Sequence, residues 1–173
     1  MKVPLMRLPF KGFMMNILAI VVVVALVVTV GLVIAGQMGL LMGKVPIGLG
    51  VTDGRLKGLS RTPNCVSSQA SLYADHPQKD YSSVAPFKYT GDGEQAMDKL
   101  AAALSKTART VVVKREPGYI YAQSTTALLK FTDDLELWLD KPNAVIHVRS
   151  SSRLGQKDFG VNRARVEALR AQL

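Results

Sequence analysis

One cysteine, Cys65, occurs in 173 residues. A single thiol excludes an intrachain disulfide and a zinc site built on cysteines. The two histidines, His76 and His147, stand at no metal-ligand spacing, so no metal centre is expected. No phosphate-binding loop and no Ser–His–Asp order is visible. The cluster Gly48-Leu-Gly50-Val-Thr-Asp-Gly54 has the wrong spacing for a dinucleotide fold. No cofactor is expected. The most informative absence is charge: residues 12–43 contain no Asp, Glu, Lys, Arg or His.

What fills that uncharged run is Val, Leu and Ile, densest from Ile17 to Ile34. A helix of about 20 apolar residues crosses a bilayer and satisfies its own backbone there. The run predicts a transmembrane helix over residues 12–43. It is about twice as long as the apolar region of a cleaved signal peptide, roughly 7–15 residues. Val33-Ile34-Ala35-Gly36 resembles the start of a lipoprotein cleavage box, but Gln37 stands where the lipidated cysteine would be. The expectation is an uncleaved single-pass anchor. A basic flank, residues 1–11 with Lys2, Arg7 and Lys11, precedes it, and Lys44 follows it. That bias points to a cytoplasmic N-terminus and a periplasmic C-terminal domain on an inner membrane. Gly31, Ala35, Gly39 and Gly43 recur every four residues and would share one helix face. Small residues at that spacing admit a second helix, for self-association or a partner subunit. Glycine is also simply common in membrane helices.

Residues 44–58 read as a linker, with Pro46 and four glycines, and residues 59–173 as a soluble domain. Residues 59–85 look loop-rich. Met97, Leu100, Ala101, Leu104 and Ala108 follow the spacing of an amphipathic helix. Thr110–Arg115 and Tyr119–Thr125 flank Pro117-Gly118 and predict a hairpin. In Leu135–Leu139 the leucines alternate with Glu136 and Trp138, predicting a strand with a leucine face. Ala144–Ser150 alternates likewise, after a turn at Asp140–Asn143. Val161–Leu173 predicts a closing helix that Asp158 is available to cap. The expected fold is α+β: an N-terminal transmembrane helix, then a four-stranded antiparallel sheet covered by two helices.

The net charge of +9 is uneven. Residues 51–140 carry 11 bases and 11 acids, whereas residues 141–173 carry seven bases against Asp158 and Glu167. Such a surplus favours anionic partners, or simply solvates a face. Its densest stretch runs from Arg149 to Arg165, through a glycine-containing turn into a helix start. Backbone N–H groups there favour anions, and arginine forks match carboxylate or phosphate. Arg149, Arg153, Asp158, Asn162, Arg163 and Arg165 are the candidate ligand-binding residues, for an anionic ligand or lipid head group. Alternatively Asp133, Asp134 and Asp158 hold those arginines as internal ion pairs. Cys65 could act as a nucleophile if His76 or His147 served as its base, or it could be a packed turn residue. Tyr119 and Tyr121 share a strand face and fit sheet packing better than base stacking. Nucleic acid is not an expected partner.

Several of these segments resemble one family. They are Gly50-Val-Thr-Asp-Gly-Arg-Leu56, Pro63-Asn-Cys-Val-Ser-Ser68, Phe131-Thr-Asp-Asp134, Arg149-Ser-Ser-Ser-Arg153 and Asp158-Phe-Gly-Val-Asn-Arg-Ala-Arg165. Together, over residues 50–173, they are similar to domain of unknown function 1499. The resemblance implies a bacterial-envelope setting, anchored or lipidated, and no established activity. Members often carry a second cysteine six residues before the Pro-Asn-Cys one, and here that position is Leu59. The leading expectation is a non-enzymatic, membrane-anchored envelope domain that binds an anionic ligand through the Arg-rich motif. The rivals are a thiol-dependent hydrolase using Cys65 and an accessory structural subunit of a membrane complex.

Overall fold

A computed structural model describes the backbone of residues 10–173 and side chains from residue 16 onward. Lys2 and Arg7 of the expected basic flank lie outside the described residues. The first element, α1 (Phe10–Gln37), contains a stretch, Asn16–Gln37, long and apolar enough to cross a membrane. Its valines and leucines are exposed. α1 stops where Gly39 adopts φ +78°. Gly39 N–H then bonds Gly36 O and Leu40 N–H bonds Ala35 O, which closes the last carbonyls in a Schellman pattern. Gly39 and Gly43 therefore lie past the helix. The expected stripe of four small residues on one helix face is reduced to Gly31 and Ala35, because the chain turns before the repeat is complete.

The remaining elements are β1 (Cys65–Ser67), a 3-10 turn (Ala70–Leu72), α2 (Lys79–Ser82), β2 (Phe87–Lys88) and α3 (Gly93–Lys106). After them come β3 (Thr110–Glu116), β4 (Tyr119–Thr125), β5 (Thr132–Asp140), β6 (Val145–Ser152) and α4 (Val161–Arg170). The sheet runs β1-β6-β5-β4-β3, all antiparallel, and β2 also pairs with β6. It has six strands rather than the expected four. The two extra strands, β1 and β2, are three and two residues long, too short for a period-2 pattern to register.

The four longer strands form where alternation places them. Leu135, Leu137 and Leu139 meet Ile120, Ala122, Ile146 and Val148 on one face. α3 closes that face with Met97, Leu100 and Leu104, and α4 with Val166 and Leu169. Asp92 caps α3, its carboxylate accepting Gln95 N–H at 2.9 Å. α4 begins after Gly160, at φ +82°. Asp158 serves its start from two residues upstream, accepting Gly160 N–H at 3.1 Å and Asn162 N–H at 3.0 Å.

The opposite sheet face is not left to water. β5 is buried along nearly its whole length. Residues 44–58, expected as a linker, lie over Tyr119, Tyr121, Glu136 and Trp138 as a strap. Leu56 packs beside both tyrosines, and Gly50 N–H donates to Glu136 Oε1 at 2.7 Å. Burying a leucine contributes about 1.5–3 kcal/mol, so Leu56 alone gives the strap a reason to stay down.

Candidate functional site

The Arg-rich segment divides as it leaves the sheet. Arg149 and Arg153, four residues apart in extended chain, point to the strap-covered face. Arg149 Nε donates to Gly58 O at 3.1 Å, and its Nη1 stands 3.7 Å from Glu136 Oε2. Arg153 grips both oxygens of Asp134, the shortest bond being 2.7 Å, and also donates to Tyr121 Oη. On the helix side, Arg165 bonds Asp133 at 2.7 Å together with Asn162 and Ser150. Arg163 points away from both groups and donates to the carbonyls of Tyr81 and Ser83. Asn162 is buried and bridges Ser150, Ser152 and Asn64 O. Asp158 takes the hydroxyl of Tyr81 rather than an arginine. The six residues thus occupy three environments and do not line one common pocket.

The strap-covered face holds an unusual density of buried charge. Tyr119 donates to Glu136 at 2.8 Å, and Tyr121 donates to Asp134 at 2.6 Å. Among the described residues, Glu136 Oε2 and Arg149 Nη1 have no hydrogen-bond partner, being too far apart to bond each other. Burial raises the Glu136 pKa against the lowering pull of Gly50 N–H, Tyr119 and Arg149. Burial likewise raises Tyr119, with Glu136 adding to the effect. On the other side of the sheet, burial and then Asp158 push Tyr81 up to about 12. Burial alone would raise Asp158, but the hydrogen bonds from Tyr81, Asn162 and Gly160 outweigh it and hold its pKa low. Sequence alternation shows that Glu136 and Trp138 share a face, but nothing local shows that a glycine strap covers them.

An open concave surface lies on the helix side. A cleft of about 590 Å³ runs between the end of α3, the start of β3 and α4. Leu104, Ala164, Ala168 and Leu169 line its apolar wall, with Lys106, Arg109 and the Arg165–Asp133 pair as its charged groups. Hydroxyls of Thr110, Ser124, Thr125 and Thr126 line the β side. Arg109 is held at φ +58°, an uncommon conformation for a side-chain-bearing residue. A second cavity of about 300 Å³ shares Thr126, Asp133 and Val161 with the first. Phe131, Leu154, Lys157, Asp158 and Phe159 extend it. Of the expected site residues, Arg165 lines the larger cavity and Asp158 the smaller. Lys106 and Arg109 were missed because they sit outside the Arg-rich run, and only the packing of α4 on α3 brings them beside it.

Cys65 is 0% exposed, and its thiol lies against Val66 O at 3.8 Å. Both histidines are engaged elsewhere. His76 Nδ1 accepts Gln78 N–H at 3.1 Å. His147 stacks on Trp138 with ring centroids 5.2 Å apart. Ser68 Oγ stands 3.1 Å from His147 Nδ1, and Asp140 Oδ2 stands 3.5 Å from Nε2. Three residue types of a hydrolytic triad are aligned there, although no sequence order suggested it. Ser68 Oγ also accepts Val148 N–H at 2.9 Å, while Ser68 N–H bonds Val148 O at 2.9 Å. Those bonds make the hydroxyl a clasp holding the end of β1 to β6. Burial lowers the His147 pKa, although Asp140 opposes it.

Comparison with known proteins adds one match. The family model described as a protein of unknown function (DUF1499) covers residues 55–173. No curated protein and no solved structure matches the chain significantly. The family match begins inside the strap, at the residue before Leu56.

Proposed function

We infer the function of this chain, which belongs to the DUF1499 family whose description names no activity, from the geometry of its own cleft. We propose that it is a single-pass, membrane-anchored, non-enzymatic binding module for an anionic amphiphile. α1 serves as an uncleaved anchor, and the folded domain is exported. The ligand takes the cleft between α3 and α4, its apolar part against Leu104, Ala168 and Leu169 and its charge toward Lys106 and Arg109, while Arg165 is held by Asp133. The observation that carries this is the composition of the cleft: an apolar wall with Lys106, Arg109, an Arg165–Asp133 pair and five hydroxyls, sharing three lining residues with a second apolar cavity. Arg149 and Arg153, each beside an acid under the strap, act as frame rather than as ligand contacts. The complete burial of Cys65 weighs against thiol chemistry.

The test uses the full chain in detergent, titrated with fluorescent phosphatidylglycerol and, for comparison, the zwitterionic phosphatidylcholine analogue. The anionic lipid should bind more tightly. Lys106→Glu with Arg109→Glu should weaken it by on the order of tenfold, about 1.4 kcal/mol. Ala168→Trp, which fills the cleft from an exposed position, should weaken both lipids. Equal binding by the wild type and all variants would remove the cleft from the proposal. A C-terminal reporter active only outside the cytoplasm tests the orientation.

A further inference from the structure

The end of α1 is fastened to the domain rather than tethered to it. Gly36 is buried, and a Cβ there would lie 2.7 to 2.8 Å from backbone atoms of Leu129. Only glycine lets the loop of residues 126–131 approach so closely. One residue later, Gln37 Nε2 donates to Leu128 O at 2.8 Å and to Ala127 O at 3.2 Å. Gly43 then rests on Arg153 and Leu154, and Arg153 Nη1 reaches Gly43 O at 3.4 Å. The 126–131 loop and the turn after β6 are therefore held at the level where the apolar helix ends.

That level can be located against a bilayer. At 1.5 Å per residue, the 22 residues Asn16–Gln37 extend about 33 Å, and a hydrocarbon core is about 30 Å thick. With α1 spanning, Gln37 stands at the core boundary and the two segments beside it stand in the head-group layer. Their exposed side chains suit that layer. Leu128 is 64% exposed and Phe159 is 93% exposed, and Phe131 and Leu154 line the smaller cavity together with Phe159. Phe159 is held outward at φ +53°, a conformation that costs energy in a bulky residue. Lys130 and Lys157 are interleaved with these apolar tips, as anionic head groups would favour.

We propose that the 126–131 loop and the Leu154–Phe159 turn form a lipid-contacting rim that seats the domain in the head-group layer of the bilayer α1 crosses. The occupant of this apolar surface is phospholipid. The inference rests on reading α1 as an anchor, but not on any ligand entering the cleft.

The experiment uses the full chain in vesicles of phosphatidylethanolamine and phosphatidylglycerol. A polarity-sensitive fluorophore is attached to single introduced cysteines; native Cys65 is fully buried and so shielded from the label. Leu128→Cys and Phe159→Cys report the rim, and Leu26→Cys reports the helix. Lys141→Cys reports the far β5–β6 turn, about 26 Å away along the nine residues of β5. The rim probes should be blue-shifted and lose intensity to nitroxide carried on lipid, while Lys141→Cys should not. If Leu26→Cys is quenched and both rim probes behave like Lys141→Cys, the seating is wrong and the anchor stands. If Leu26→Cys is also unquenched, the anchor reading fails and the seating fails with it.

Discussion

The two faces of the sheet are built from the same strands and solve burial in opposite ways. On β5, Leu135, Leu137 and Leu139 enter a core closed by α3 and α4, an apolar cluster bordered by Asp133, Ser150 and Asn162. One residue out of phase, Asp134 and Glu136 enter an equally dry layer under the strap, where burial is tolerated only because Tyr119, Tyr121, Arg149, Arg153 and Gly50 N–H meet them. The apolar face tolerates size-conserving exchange, whereas the polar face is brittle. Removing one partner strands a charge, since a buried ion that loses its partner keeps its desolvation cost.

The largest expected break in that comparison is Asp134→Ala. It leaves the Arg153 guanidinium buried without its carboxylate and should cost about 3–5 kcal/mol in denaturant unfolding. A loss under about 1 kcal/mol, in the range of an exposed pair, would mean that the strap admits water. Leu137→Ala, on the apolar face, should cost about 2–5 kcal/mol through lost transfer energy and a cavity. Replacing both members of the long pair, Glu136→Leu with Arg149→Met, should cost less than Asp134→Ala, about 1–3 kcal/mol, because no charge is left stranded while Tyr119 Oη, Gly50 N–H and Gly58 O lose their partner. A loss as large as that of Asp134→Ala would make this pair, despite its 3.7 Å spacing, as necessary as the shorter one.

A pH series sharpens the same contrast. Burial raises the Glu136 pKa in the fold. Its contribution to stability is therefore complete below the unfolded value of about 4.3 and is lost as pH rises through the folded value. Glu136→Gln does not titrate, so it should gain on the wild type as pH climbs from about 4 to about 8. A gap that stays constant would mean that Glu136 is ionised in both states. The smallest effect is expected on α1. Gly31 has open space where a Cβ would go, and Gly36 has Leu129 there. Gly31→Ala should leave the chain unchanged, and Gly36→Ala should free the 38–44 turn for limited proteolysis without unfolding the domain.

Legibility followed locality. Met97, Leu100 and Leu104, the alternating leucines of β5, and Asp158 at the start of α4 were readable because helix and strand periods are written in neighbouring residues. β1 and β2 were not, since they exist only as short partners of β6. The strap looked like a linker because proline and glycine mark irregular chain whether or not it is packed. The cleft was half legible: Arg165 lies in the basic run, while Lys106 and Arg109 belong to the α3–β3 junction.

By itself, the sequence determined a helix long and apolar enough to cross a membrane, the α+β class and the family. Each rests on composition or on a repeat of a few residues, which backbone geometry converts directly into structure. Only the tertiary structure decided which acids the arginines meet, that residues 44–58 cover the polar face, and that the end of α1 is bolted to the 126–131 loop. Those contacts join groups as far apart in the chain as Gln37 and Leu128, or Arg153 and Gly43. No local period encodes such a meeting; it follows from where the whole sheet places its edges.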